Sequence, residues 1–364
     1  MIASDIACAA TPKWPVLRGR PQRGRSRLSH AAAICRLVRW RLGCVAALLA
    51  ALAIFASAPA SALDYPTKPV RIILPFSAGG AADVLCRIAA QALSKHWGHT
   101  VIVENRVGGN TVVGATAAVS SAPDGYTLFY TGDQTITINP LLYPAPYNVE
   151  RDLTPITLIA LNPMLLAIKK DLPATTVGEF VELAKAKPKT ISFGSSGAGS
   201  IQRLAMEYFA QLTGIELVHL PYRGSNETVA DMLGGNVDST FNGVSNFVQL
   251  LKAGRVRALA VSTGHRSKQV PDIPTVREAG GPALRSYATV SWFGLFAPTG
   301  VPQDIRDRIQ QDLGRVLKSP EAIQALEARG FELVASTADE FRKVIAEDTV
   351  RWRDVIDKAG IKAQ

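Results

Sequence analysis

What most constrains this chain is an alternation of two periodicities that runs through the sequence twice. Val70-Arg-Ile-Ile-Leu-Pro75 is a β-branched run that ends in a Gly-rich turn. Ala82–Trp97 follows with helical apolar spacing at Val84, Leu85, Ile88, Ala89 and Leu93. Val101–Val103 reads as a strand, Thr111–Val119 as a helix and Tyr126–Tyr130 as a strand. From Met164 the order starts again. Strands are expected at Met164–Ile168, Thr190–Phe193, Leu217–Leu220, Val237–Phe241 and Val256–Val261. Helices are expected at Val177–Ala186, Ile201–Leu212, Glu227–Leu233 and Val244–Lys252. After the apolar run Trp292–Phe296, amphipathic helices at Gln303–Lys318, Pro320–Ala328 and Ala338–Ala359 close the chain.

Such an order predicts an α/β fold, each half a mostly parallel sheet flanked by helices. Residues 63–162 with 290–364 are expected to form one lobe and 163–289 the other. The closing helices return to the first lobe. The chain then crosses twice, near Asn162-Pro163 and near Thr289–Trp292, and two crossings make a hinge.

The net charge of +10 suggests nucleic acid until it is located. Residues 1–62 hold nine basic residues and one acid, which leaves the rest at only +2. That is too little for a nucleic-acid footprint, so no nucleic acid is expected as a partner. The front segment reads instead as a signal peptide with a long basic n-region. Basic residues end at Arg41, the apolar run Leu42–Ala56 follows, and Ala60 and Ala62 occupy the small-residue positions of a cleavage site. The run is shorter than the roughly 20 residues that span a bilayer as a helix. Cleavage after Ala62 leaves Cys86 as the only cysteine, so no intrachain disulfide forms. Cys86 lies in an apolar helical run and reads as a small buried hydrophobe.

Two Gly/Ser turns, one per half, join a strand to a helix: Pro75-Phe-Ser-Ala-Gly-Gly-Ala-Ala-Asp83 and Phe193-Gly-Ser-Ser-Gly-Ala-Gly-Ser200. Glycine lets backbone approach a ligand closely. The helix that follows offers unpaired N–H groups and the positive end of its dipole, a place for an anion. Each turn taken alone is equally well a tight connection with a capping serine. Two at corresponding places favour a ligand, because open α/β sheets bind at the carboxyl ends of their strands.

Enzyme readings are weak by comparison. Gly197-Ala-Gly199 begins a dinucleotide fingerprint, but Gln202 stands where its third glycine belongs. The chain has no G-x-S-x-G elbow and no phosphate-binding loop with its lysine. His96 and His99 read as a solvated surface pair, and His219 as a packing residue. Arg223 either pairs with a ligand carboxylate or bridges the lobes at the surface. Trp292 and Phe293 either wall the cleft or fill the core.

Taken in order, several stretches resemble the extracytoplasmic receptors of tripartite tricarboxylate transporters, the Bug-type solute-binding proteins. They are Tyr65-Pro-Thr-Lys-Pro69, Pro75–Gly80 with Asp83, Glu104-Asn-Arg106 with Gly108-Gly109, Pro123-Asp-Gly-Tyr-Thr127 and Phe193–Ser200. Pro221-Tyr-Arg-Gly224, Leu233–Asp238, Ala253–Val261 and Trp292–Pro298 complete the set. The resemblance implies a two-lobed type II periplasmic binding-protein fold and a small carboxylate held by main-chain amides and hydroxyls of the two turns. It implies a monomer in the periplasm that delivers ligand to two membrane subunits, with no cofactor, no metal and no catalysis. Phe76, Ser77, Ala78, Gly79, Gly80, Asp83, Gly132, Asp133, Ser195, Ser196, Gly197, Gly199, Ser200, Tyr222, Arg223 and Asn242 form the expected ligand-binding set. The chain departs from the family's pattern at Ala78, where Pro is common, and at Asn242, where Asp is common. A carboxylate sensor and a secreted hydrolase using the same cleft are the competing readings.

Overall fold

The computed structural model describes residues 64–197 and 199–362. The expected signal peptide and its cleavage site lie outside the described residues. The first half lays down β1 (Val70–Leu74), α1 (Ala81–Trp97), β2 (Val101–Asn105), α2 (Val112–Val119) and β3 (Thr127–Gly132), then β4 (Leu153–Asn162). The second half has β5 (Met164–Lys169), α3 (Val177–Ala186), β6 (Ser192–Ser195), α4 (Ile201–Thr213), β7 (Val218–Pro221), α5 (Ser225–Leu233), β8 (Ser239–Gly243) and β9 (Val256–Val261). The chain then returns as β10 (Ser291–Pro298), α6 (Gln303–Leu317), α7 (Pro320–Glu327), β11 (Glu332–Leu333) and α8 (Ala338–Ala359).

Two sheets result, and they share one topology. The first runs β2-β1-β3-β10-β4 with the short β11 added outside; the second runs β7-β6-β8-β5-β9. In each, the strands joined through helices pair in parallel: β1 with β2 and β3, β6 with β7 and β8. A parallel neighbour needs a long crossover, and the intervening helices supply it. The fourth strand of each sheet, β10 or β5, is the one laid down just after the chain changes halves. It runs antiparallel to both its neighbours.

The sheets are therefore mixed instead of mostly parallel. Only the βαβ portions are parallel, because a strand that enters from the other half arrives from the opposite direction. β4 escapes a pattern search because Pro155 interrupts it. Proline donates no ladder hydrogen bond and is confined to edges and bulges. The β4–β10 pairing indeed shifts register at Phe293/Gly294 and at Leu295/Phe296.

Alternating side chains feed a core on each face of each sheet. In the first, Val70, Ile72 and Leu74 pack with Leu85, Leu93 and Leu313, while Ile73 and Phe129 pack with Trp292, Phe296 and Phe341 on the other face. In the second, Leu166, Phe193 and Phe241 meet Phe180, Leu204 and Phe209, while Leu165 meets Val229, Met232 and Phe247. The expectation that every closing helix returns to the first lobe needs correcting at the last one. Phe341, early in α8, belongs to the first core, but Trp352, Val355 and Ile356, near its end, belong to the second. Gln211 Nε2 of α4 donates to Val355 O at 2.9 Å. The apolar stripe of this 22-residue helix is long enough to serve both halves.

Candidate functional site

Each half presents two helix N-termini at the carboxyl edge of its parallel strands, α1 and α2 on the first sheet, α4 and α5 on the second. The two edges face one another. A Cβ placed on Gly199 would lie 3.3 Å from Leu142 Cδ1 and 3.4 Å from both Asn110 Nδ2 and Asn139 Oδ1. The turn of the second half thus rests against residues that precede the first crossing.

In the first turn Ser77, Ala78, Gly79 and Gly80 are exposed and Phe76 is half-buried. Gly79 has φ +79°, a conformation that favours glycine. Gly80 caps α1 with extended backbone and no side-chain cap, so the first-turn amides stay free. Asp83 lies beneath. Gly79 N–H donates to its Oδ2 at 3.0 Å, Arg87 Nε to the same oxygen at 2.9 Å, and Asn105 Nδ2 to Oδ1 at 2.8 Å. Asn105 Nδ2 also reaches Phe76 O at 2.9 Å. Burial pushes the Asp83 carboxyl up, but the bonds from Arg87, Gly79 and Asn105 outweigh it and hold the group below the usual carboxylate range. Asp83 is 3% exposed, with both oxygens engaged, so it shapes the turn from below.

The second turn is braced by its own hydroxyls. Ser200 caps α4, accepting from Arg203 N–H at 3.3 Å while its Oγ donates to Gly197 O at 2.8 Å. Ser195 Oγ lies 3.1 Å from the same carbonyl and 2.7 Å from His219 Nε2, and Ser196 Oγ donates to Gln202 Oε1 at 2.6 Å. Gly197 has φ +108°. Burial, with a smaller contribution from the Arg203 charge, pushes the His219 imidazole down to about 4. A base that weak does not activate a serine at neutral pH, and Ser195 is only 1% exposed. The Ser195–His219 contact is structural.

The other expected residues divide by exposure. Arg223 is exposed, and its N–H donates to Glu227 Oε2 at 3.1 Å. Tyr222 turns its hydroxyl to Asp231 Oδ2 at 2.6 Å. Asn242 is 1% exposed and holds Ser225 O and Asn246 Nδ2. Gly132 is buried under Trp292 and Phe293, where a Cβ would lie 2.7 Å from Trp292 O. Asp133 is 3% exposed, its Oδ1 taken by Gln134 N–H at 2.8 Å. The first turn, Ser196, Gly197 and Arg223 therefore offer surface to a ligand, while Ser195, Gly199 and Ser200, expected to bind it, are buried and brace the second turn, and Asp83, Gly132, Asp133 and Asn242 also lie behind the surface. Phe293 leaves the wall-or-core question as a core residue, stacked on Tyr130 with centroids 5.9 Å apart. Among the described residues there is no group of three or more His, Cys, Asp or Glu placed to hold a metal ion. None of the described helices is long and apolar enough to cross a membrane.

Asn110, Gln134 and Asn139, joined to one another by side-chain hydrogen bonds beside Gly199, carry no pattern that marks them in the sequence. The nearest to a signal is an Asn-Thr pair just after Gly108-Gly109, with no strand or helix pattern of its own.

The family described as TctC, tripartite tricarboxylate transporter family receptor, matches residues 85–361. The chain belongs to this family. As a TctC receptor it is a substrate-binding protein of the periplasmic kind, not an enzyme. BugT of Bordetella pertussis is 33% identical over 322 residues, covering 86% of this chain and 98% of that one. A solved R. palustris protein, Rpa4515 with adipate, aligns with TM-score 0.74 at 33% identity, covering 82% of this chain and 99% of that one. MatC from Rhodopseudomonas palustris with bound malate aligns with TM-score 0.70 at 27% identity, covering 80% and 100%. The periplasmic binding protein BugD aligns with TM-score 0.70 at 29% identity, covering 82% and 100%.

Proposed function

We propose that this TctC receptor captures a small dicarboxylate between its two sheets and delivers it to the two membrane subunits of a tripartite tricarboxylate transporter. One observation carries the reading. The exposed, uncapped N-terminus of α1 and the glycine turn of the second half stand at carboxyl edges that face each other. Free amides at a helix N-terminus, with the dipole behind them, favour a carboxylate without any cation. Adipate and malate, held by the two relatives, are both dicarboxylates, which supports a second anionic contact. Arg223 is the natural one, because among the described residues its guanidinium makes no ion pair and a guanidinium matches a carboxylate bidentately.

Thermal shift against a carboxylate panel tests this. A ligand at a hundred times its Kd stabilises the folded state by about 2.7 kcal/mol, and dicarboxylates should raise the melting point most. Arg223→Ala should weaken adipate or malate roughly tenfold, the loss of one charge-assisted contact, and leave monocarboxylates unchanged. A panel in which no carboxylate shifts the melting point removes the proposal. Equal loss for mono- and dicarboxylates removes Arg223 from it.

Export is part of the same proposal. Periplasmic material should begin at Leu63 on N-terminal sequencing, following the Ala60/Ala62 pair. A membrane-retained chain that keeps residues 1–62 would refute it.

A further inference from the structure

A third turn, Val107–Thr111, leaves the carboxyl end of β2 and enters α2. It holds two successive non-glycine residues in the left-handed region, Asn110 at φ 51° and Thr111 at φ 76°. Such backbone is strained for residues other than glycine and persists only where the surroundings over-determine it. Here they do. Asn139 Nδ2 donates to Asn110 O at 2.5 Å and to Thr111 Oγ1 at 3.0 Å. Asn110 Nδ2 donates back to Asn139 Oδ1 at 2.8 Å, and Gln134 Nε2 donates to Asn110 Oδ1.

The partner residue gives the arrangement its meaning. Asn139 is fully buried and directly follows a π-helical turn, Gln134–Ile138. Such turns are rare and gather at functional sites. The segment belongs to the first half in sequence and Ile136 packs in a core of the first sheet, yet Ile138, Leu141 and Leu142 reach the core of the second. Asn110, by contrast, sits on the first sheet. The reciprocal amide pair therefore ties the turn after β2 to a segment that packs against both cores, beside the backbone of Gly199.

We infer that Asn110 and Asn139 form a clasp that sets the separation of the two binding turns, which makes Asn110 a positioning residue for ligand affinity. The inference rests on the carboxylate-binding reading only for the word ligand; the clasp itself is a statement about the two halves. A simpler account competes with it. Asn is the non-glycine residue that best tolerates left-handed backbone, and on that account it is needed for the backbone alone.

Asn110→Gly separates the two, because glycine keeps the backbone conformation and removes the amide. Spin labels at Lys95→Cys on α1 and Lys252→Cys in the second half report the distance between halves in the unliganded chain. Both positions are exposed, and the native Cys86 is buried. Asn110→Gly should broaden the distance distribution. It should also weaken adipate or malate at least tenfold, mainly through faster dissociation, with the melting point near that of the wild type. Asn110→Asp, which cannot donate to Asn139 Oδ1, should do the same. An Asn110→Gly protein with the wild-type distance distribution overturns the clasp. A broadened distribution in a chain whose wild type binds no carboxylate of the panel upholds the clasp and removes the carboxylate reading instead.

Discussion

Gly79→Val and Gly197→Val are each expected to abolish carboxylate binding in a protein that still folds. The reason is the backbone, not the space. A Cβ on Gly79 meets nothing within 4 Å, and one on Gly197 comes no closer than 4.0 Å to Tyr222 O. Their φ angles of +79° and +108° are the obstacle, because a β-branched residue is an outlier there. Relaxing the strain rotates the peptide that now donates from Gly79 to Asp83, and the α1 amides turn away with it. Charge-assisted hydrogen bonds contribute about 1.5–3 kcal/mol each. Micromolar binding corresponds to about −8 kcal/mol, so losing three such bonds moves the affinity beyond the millimolar range. Gly98→Val is the matching control, since Gly98 has φ +69° at the other end of α1. It should lower the melting point and leave affinity intact. Calorimetry on variants shown to be folded by circular dichroism decides the matter. Wild-type affinity in folded Gly79→Val and Gly197→Val would mean that the turns are only connections.

The second large effect concerns stability and pH. Asp133 lies where β3 ends against the start of β10. Its buried Oδ2 makes no well-formed hydrogen bond, although Ser291 and the Trp292 backbone lie beside the carboxyl and partly offset its burial. Desolvation, reinforced by the nearby charge of Asp348, pushes its carboxyl up to about 7. Asp348 is itself raised by burial, and it accepts from Trp292 Nε1 at 2.7 Å and from Arg351 Nη1 at 2.6 Å.

A carboxyl whose folded pKa exceeds its unfolded value binds its proton more tightly when folded. The stability it lends is complete near pH 4 and is lost as pH rises through about 7. His219 acts in the opposite direction, because its depressed pKa makes stability rise between about pH 4 and 6.5. The two contributions oppose each other between about pH 4 and 6.5, so the wild type should show a shallow profile there and level off above about 7. Asp133→Asn isolates one side of the balance. The variant's advantage over the wild type should be small near pH 4, grow with pH and level off above 7. Its ceiling is on the order of 4 kcal/mol, from about three pKa units. Denaturant titrations at pH 4, 6 and 8 measure it. A pH-independent difference between the two proteins would show that Asp133 is ionised throughout.

Much of this molecule is legible in its sequence where one period dominates. The bounds of Val177–Ala186, Val256–Val261 and Ala338–Ala359 are as the apolar spacing sets them. The Gly/Ser turns declare themselves because glycine and serine cluster between a strand and a helix. What escaped did so for physical reasons. β4 carries a proline that a bulged pairing with β10 absorbs, and pairing is a property of two segments. Burial decides whether a polar residue faces ligand or holds the residue that does, and no local pattern records burial. Asp83 looks like a cleft residue in the sequence but spends both carboxylate oxygens on the turn, Arg87 and Asn105. Asn110 and Asn139 are 29 positions apart, and nothing in either neighbourhood foretells that they meet.

The shared final helix has a consequence for the order in which the chain becomes a protein. The core of the second sheet draws on Ile138, on residues from Met164 to Tyr287, and on Trp352, Val355, Ile356 and Ile361. No stretch of the middle of the chain contains that core by itself. A chain that emerges from its N-terminus holds this part of its apolar surface unsatisfied until almost the last residue is out. Under the export proposed above, late completion is an asset, because the second core cannot close while the end of the chain has yet to cross.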